Sequence, residues 1–397
     1  MSRVDDLIST YCPNGVEMDT VGNLCKITRG RVMSKDYLAQ NVGEYPVYSS
    51  QTANEGMLGK IKTYDYDGEY LTWTTDGAYA GSVFYRKGRF SITNICGLLG
   101  IKSKKILIKF LYYYLGNVTK DYVNAGMGNP KLMSNVMKKI KVAIPPLPVQ
   151  QEIVRILDSF SELEKELEKE LEAREKQYEY YRNQLLSFGE GGDRTQCVEI
   201  VKLGMYVEFQ NGFAFKSALF KDSGIPILRI TNIQQSGVNV DNLVYADVAD
   251  YKTNFEPFKV SPGDIVVALS GATTGKTGKN KTQITFLLNQ RVAKFVPDET
   301  HILKSYLYHW AKLKENEFCC LAGGGAQPNL STEQMKKMEI VIPSIPEQER
   351  IVSILDKFDA LVNDISIGLP AEINARRKQY EYYRDKLLTF PMVESNA

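Results

Sequence analysis

Histidine is almost missing from this chain: two in 397 residues, His301 and His309. A histidine-dependent metal site or nucleophile–base pair has little to draw on. The six cysteines (Cys12, Cys25, Cys96, Cys197, Cys319, Cys320) form no C-x-x-C pair and no framework spacing. They read as reduced thiols in a cytosolic protein, the adjacent Cys319 and Cys320 as core packing. No apolar run approaches the roughly 18 residues of a membrane span, and residues 1–10 lack the basic flank and apolar stretch of a signal peptide. The Asn-Pro-Pro-Tyr and Asp-Pro-Pro-Tyr signatures of amino-methyltransferases are missing, as is a dinucleotide-type glycine fingerprint. Charge of one sign is lacking too: 49 basic against 47 acidic residues leave +2. Nothing looks catalytic, and the expectation is a protein without an active site of its own.

What is present is a chain built twice. Length alone gives two to three domains. Residues 138–148 recur 198 positions later as 336–346, both running into Ile-Pro-x-x-Pro, and Ile153, Leu157 and Phe160 return as Ile351, Leu355 and Phe358. Lys-Gln-Tyr-Glu-Tyr-Tyr-Arg at 176–182 returns at 378–384, offset by 202, so the second copy holds four extra residues near Gly368-Leu369-Pro370. Weaker echoes link 45–47 to 225–227, 76–81 to 270–275, 90–94 to 285–289 and 129–132 to 327–330. The order is globular, helical, globular, helical. The spacing assigns residues 1–143 and 189–341 to globular domains, 144–188 and 342–390 to spacer helices, and 391–397 to a tail.

Each helical segment carries an apolar seam with a mean step near 3.5 residues, a coiled-coil pattern. In the first it runs through Ile153, Leu157, Phe160, Leu167 and Tyr181, in the second through Ile351, Leu355, Phe358, Tyr383 and Leu387. The simplest partner for one seam is the other. Gly368 and Pro370 are expected to kink the second helix. The globular domains show short β-rich stretches at 69–73, 82–86, 225–230, 264–269 and 292–296, with short helices at 105–114 and 301–314, hence a mixed α+β texture.

Charge divides by segment. Residues 1–143 carry 19 basic and 12 acidic groups and residues 189–341 carry 17 and 16, while the helical segments are net acidic. That fits globular domains which touch phosphate and helices which do not; uneven surface charge without meaning is the other reading. Residues 271–277 look like a phosphate-binding loop but are one residue short, and their repeat partner has no Lys-Thr. A loop ending in Lys276, Lys279 and Lys281 suits close approach to a nucleic-acid backbone better. The glycines at 126–128 and 323–325 read as turns before Pro130 and Pro328.

At this point the chain resembles the specificity subunit of a type I restriction–modification enzyme. The carrying residues are 144–148 with 150–154, 342–351, both Lys-Gln-Tyr-Glu-Tyr-Tyr-Arg runs, 369–373 and 211–215. The resemblance spans essentially the whole chain. It implies an α+β architecture of two related target-recognition domains, each reading half of a bipartite, asymmetric site on double-stranded DNA. Two long antiparallel helices would space them and dock two methyltransferase subunits, with motor–nuclease subunits added. S-adenosylmethionine, ATP and magnesium would then belong to the partners, with no membrane involved. A stand-alone DNA-binding or regulatory coiled-coil protein, and a scaffold without nucleic acid, remain the alternatives. By side-chain chemistry the candidate DNA contacts are Thr74, Thr75, Tyr79, Arg86, Lys87 and Arg89 in the first domain. In the second they are Arg229, Asn232, Lys276, Thr277, Lys279, Gln290 and Arg291.

Overall fold

A computed structural model describes residues 3–124, 126, 128–187, 198–234, 237–323, 328–364 and 366–390. Cys197, Phe188, Ile365, the tail 391–397 and parts of both glycine turns expected above (Met127 and 324–327) lie outside them. The chain folds as two compact units, Met1–Lys165 with Ala375–Ala397, and Glu166–Asn374. Both long helical segments are divided between the units.

In the first unit the strand Tyr66–Thr74 pairs with Val83–Ile92 and with Cys96–Ile101 in an antiparallel hairpin array. Cys25–Arg29 adds one edge. Val42–Tyr48 runs parallel to Val83–Ile92 and carries Met57–Ile61 outside it, giving a six-stranded sheet. The helix Ile108–Val118 packs Phe110 and Leu111 against Leu71, Trp73 and Leu99, and the Trp73 indole donates to Leu132 O at 2.9 Å. A separate ribbon, Glu17–Thr20 with Lys141–Ile144, closes the unit beside the long helix.

The second unit repeats this plan with one break. Val207–Asn211, Val292–Pro297, Ile265–Ala268 and Thr277–Lys279 form one sheet, and Val244–Ala246, Ile225–Leu228, Phe286–Leu288 and Lys259–Val260 another. The single strand Val83–Ile92 thus has two counterparts, Thr277–Lys279 and Phe286–Leu288, and one sheet becomes two. The parallel pairing survives: Val47↔Ser91 is matched by Ile227↔Leu287. Glycine is forced where two backbones meet. A Cβ on Gly30 would lie 2.1 Å from Ile92 O, and one on its counterpart Gly212 2.0 Å from Asn289 O.

The backbone hydrogen bonds give the repeat residue by residue. Thr93 N–H donates to Tyr48 O and Asn289 N–H to Leu228 O; Leu132 N–H donates to Thr75 O and Leu330 N–H to Leu269 O. Residue 93 therefore matches 289, and the expected echo of 90–94 with 285–289 is one position out of register. The turns 76–81 with 270–275, and the strand residues 45–47 with 225–227, keep the register read from sequence.

The first helical segment is one helix, Leu147–Leu186, of 40 residues, about 60 Å at 1.5 Å per residue. The second is interrupted, as Ile345–Asn363 and Leu369–Leu388. A Cβ on Gly368 would sit 2.5 Å from Ala360 O and 2.7 Å from Asp364 O, so the tight crossing needs glycine. Pro370 lies in the first turn of the new helix, where its missing N–H costs nothing. In the link before it, the Asp364 carboxylate accepts from Ser366 N–H (2.7 Å) and Ile367 N–H (3.2 Å).

The seams pair, but not along their whole length. In the first unit Phe160 stacks on Tyr383 (5.6 Å, 24°) with Tyr380 at its edge, and Glu164 meets Arg377, so the segments run antiparallel. The second unit has the reciprocal contact, Phe358 stacked on Tyr181 (5.3 Å, 21°) and on Tyr178. Ile153, Leu157 and Leu387 belong instead to the first globular core, and Ile351 and Leu355 to the second. Leu167 is buried; Tyr181 and Tyr383 keep an exposed edge. A seam read as helix against helix is therefore half helix against domain.

One side chain ties each helix to its domain. Gln150 Oε1 accepts from Leu107 N–H (2.8 Å), while its Nε2 donates to Lys105 O (2.8 Å) and Pro145 O (2.7 Å). Gln348 does the same with Leu303 N–H, His301 O and Pro343 O. Both glutamines are fully buried. Because the glutamine takes that amide, the short helices start at Ile108 and Lys304, later than the sequence suggests.

Candidate nucleic-acid interface

Three connections between strands meet in each unit. In the first they are residues 49–56, 75–82 and 93–95. Thr75 N–H and Thr75 Oγ1 both donate to Ile95 O, and Ser50 Oγ also bonds that carbonyl. In the second they are residues 229–234 with 237–243, 269–276 and 289–291. Leu269 N–H donates to Arg291 O, and Thr273 Oγ1 to Ile230 O at 3.3 Å.

The glycine loops are turns, not cradles. Gly81 N–H donates to Thr74 O (2.8 Å) and Gly275 N–H to Ala268 O (2.9 Å), at left-handed φ values of 85° and 83° that favour glycine. Residues 271–276 lead into the strand Thr277–Lys279 and not into the helix N-terminus that a phosphate loop uses. Thr277 N–H is taken by Glu315 Oε1. Among the described residues no group of three or more His, Cys, Asp or Glu could share a metal ion.

The candidates separate into exposed and internal sets. Tyr79 is 60% exposed at the tip of the first loop. Lys87 and Arg89 are exposed but pair with Glu69 and Asp67 at 3.0 Å each. They lie on the strand Val83–Ile92 itself, outside the three connections, and each spends its charge on a carboxylate of the neighbouring strand Tyr66–Thr74. Bonds from Lys87 and then Tyr85 hold the Glu69 carboxyl below its ordinary range.

Five candidates are corrections. Thr74, Thr75, Asn232 and Thr277 are buried, and Arg86 is 4% exposed. The Arg86 guanidinium lies over the rings of Tyr48 (3.6 Å) and Phe84 (4.6 Å), and donates to Thr72 Oγ1 at 3.2 Å. Burial pulls it below the usual arginine range. Side chains alternate along a strand, so Arg86 shares a face with Phe90, while Lys87 and Arg89 share the other with Val83 and Tyr85 but are themselves exposed. Of the three lysines read as phosphate contacts, Lys279 turns inward to Ser305 Oγ (3.0 Å) and Tyr308, and Lys281 pairs with buried Asp359 (2.5 Å). Lys276 stays exposed.

The second unit gathers its remaining candidates better. Arg229 is half-buried on the same rim as exposed Lys276, Gln290 and Arg291. Sequence reasoning missed the counterparts of Gln290 and Arg291 in the first unit, exposed Asn94 and Ile95; nearby Arg29 donates its Nε to Asn94 O at 3.2 Å. The shifted echo hid them, because it aligned residue 94 instead of 93 with residue 289.

Comparison with known proteins agrees with this plan. The family model described as "Type I restriction modification DNA specificity domain" matches residues 13–173 and 197–375. A putative type I specificity subunit of Mycoplasma pneumoniae is 33% identical over 371 residues, covering 92% of this chain and 96% of that one. A putative type I restriction enzyme specificity subunit of Haemophilus influenzae is 32% identical over 385 residues, covering 94% of each. Among solved structures, the S subunit of a type I restriction–modification system from M. genitalium shares the fold at TM-score 0.64 and 16% identity, over 94% of this chain and 96% of that one.

Proposed function

The chain belongs to the family of type I restriction–modification specificity subunits, and on that premise we propose that its two units each read one half of a bipartite, asymmetric DNA site. The observation that carries this reading is a pair of loop rims built on one hydrogen-bond frame but furnished with different side chains. The same scaffold offers Tyr79, Asn94 and Ile95 on one rim and Lys276, Gln290 and Arg291 on the other. Different side chains on equal frames present different patterns to base edges, which accounts for two unlike half-sites. Lysine and arginine on the rims serve mainly to position the protein on phosphate.

In this reading the chain is non-catalytic. Two methyltransferase subunits dock on it and motor–nuclease subunits join them; S-adenosylmethionine, ATP and magnesium act on those partners. A stand-alone regulator or a scaffold would need none of these. Co-expression with a methyltransferase chain of the same system decides between them. A specificity subunit co-purifies with that chain and the pair methylates DNA at a defined motif, while neither chain does so alone. Co-purification without motif-directed methylation would favour the scaffold.

A further inference from the structure

Three non-glycine residues among those described have a left-handed backbone: Asn54 (φ 51°), Glu55 (φ 52°) and Asn242 (φ 53°). Side chains with a Cβ avoid that region unless the surroundings impose it. All three lie in one topological place. Residues 49–56 connect Val42–Tyr48 to its antiparallel neighbour Met57–Ile61, and residues 229–243 connect Ile225–Leu228 to Val244–Ala246. Tyr48 and Leu228 are matched across the repeat by their bonds to residues 93 and 289. These are thus the same connection in the two units, and it differs in both length and sequence.

In each connection an arginine bonds the carbonyl of the left-handed residue. Arg86 Nη2 donates to Glu55 O at 2.5 Å, and Arg229 Nη2 to Asn242 O at 3.0 Å. The two arginines come from different parts of the frame, so the repeat did not simply copy the device. Arg86 spends a buried guanidinium on it, and a Cβ on Gly56 would lie 3.2 Å from that guanidinium. In the second unit Asn232 adds its Nδ2 to Asn239 O and Asp241 O, 3.3 Å each, while its Oδ1 accepts from Arg229 N–H at 3.2 Å. The side chains so presented, Asn54, Glu55, Asp241 and Asn242, are all exposed and polar. Their own unit gains no core packing from being held there.

We infer that Arg86 and Arg229 are positioning residues that hold residues 54–55 and 241–242 in place for reading, and that Asn54 with Glu55, and Asp241 with Asn242, address base edges of the two half-sites. The chemistry matches. A carboxamide pairs bidentately with adenine, and a carboxylate accepts from the amino group of cytosine. The inference rests on the reading that each unit recognises one half-site, and it reassigns Arg86, Arg229 and Asn232 from contact to support.

The test maps methylated motifs in a methylation-free host that expresses the full chain with its own methyltransferase partner. Asn54→Asp keeps the shape and exchanges a donor for an acceptor, and Glu55→Gln the reverse. Each is expected to lower the preference for the original base about tenfold or more at one position of one half-site, with the other half-site unchanged. Asp241→Asn and Asn242→Asp do the same to the other half. Arg86→Lys and Arg229→Lys keep the charge but lose the planar fork, and blur the same positions as the loop variants of their own unit. A purely structural role would lower the thermal midpoint and leave the motif intact. A wild-type chain that directs no methylation overturns the half-site reading and this inference with it. A sharp wild-type motif that all six variants leave unchanged overturns this inference alone.

Discussion

At the scale of single residues, the joints between helix and domain are the most exacting. Gln348 satisfies one amide and two carbonyls from full burial. Gln348→Leu leaves all three without a partner, and buried polar groups stripped of partners cost about 1–3 kcal/mol each before relaxation. The variant is expected to lose about 3 kcal/mol in a denaturant titration; a loss under about 1 kcal/mol would mean that water replaces the side chain. Close by, His309 bridges Tyr178 (3.2 Å) and Asp356 (2.7 Å). Burial disfavours the Asp356 charge, yet the His309 bond, with Lys279 and Lys281 nearby, outweighs it and holds the carboxyl below its ordinary range. A depressed carboxylate contributes stability that is complete above its unfolded pKa, about 3.9, and is lost as pH falls through the folded value. Thermal midpoints taken at pH 7 and near pH 3 should therefore differ less for Asp356→Asn than for the wild-type chain. An equal difference would show that the bond does not respond to that charge.

Candidate contacts were hardest to read at this same scale. The sequence supplied residue types, and Lys276, Gln290 and Arg291 do stand on a rim. Arg86 and Asn232 have the right chemistry for bases but spend it on backbone carbonyls. Alternation along 83–90 puts aromatics on both faces and does not mark Arg86 as buried. Nothing short of tertiary structure shows that residues 54, 55 and 242 are left-handed, because that conformation is imposed by partners distant in sequence.

Among the elements, helices were legible and sheets less so. A seam repeats every turn and identifies itself, whereas the strands of the globular units pair over separations that no local pattern encodes. The break between Asn363 and Leu369 illustrates the limit: the Gly-Leu-Pro signal locates it, but the close carbonyls behind Gly368 give the reason. The unbroken helix Leu147–Leu186 carries a prediction of its own. Four residues inserted within 164–172 lengthen it by about 6 Å and turn it about 40° beyond a full turn. If this helix sets the spacing, the unread gap between the half-sites grows by one to two base pairs, at about 3.4 Å each, and the bases read persist. Altered bases with the gap intact would remove the helix from that role.

For the whole molecule, duplication was plain in the helical segments and faint in the globular ones, since only the former kept their side chains. The globular units kept hydrogen bonds instead, and those are invisible until the chain is folded. Equal frames with diverged rims are what a reader of two unlike half-sites requires, and this division of labour is the central claim. It is tested most directly by replacing residues 14–143 with the corresponding domain of another specificity subunit, expressing the chimaera with its partners, and mapping methylated motifs. The predicted result is one half-site exchanged for the donor's and the other retained. Simultaneous change of both halves, or of neither, would contradict it.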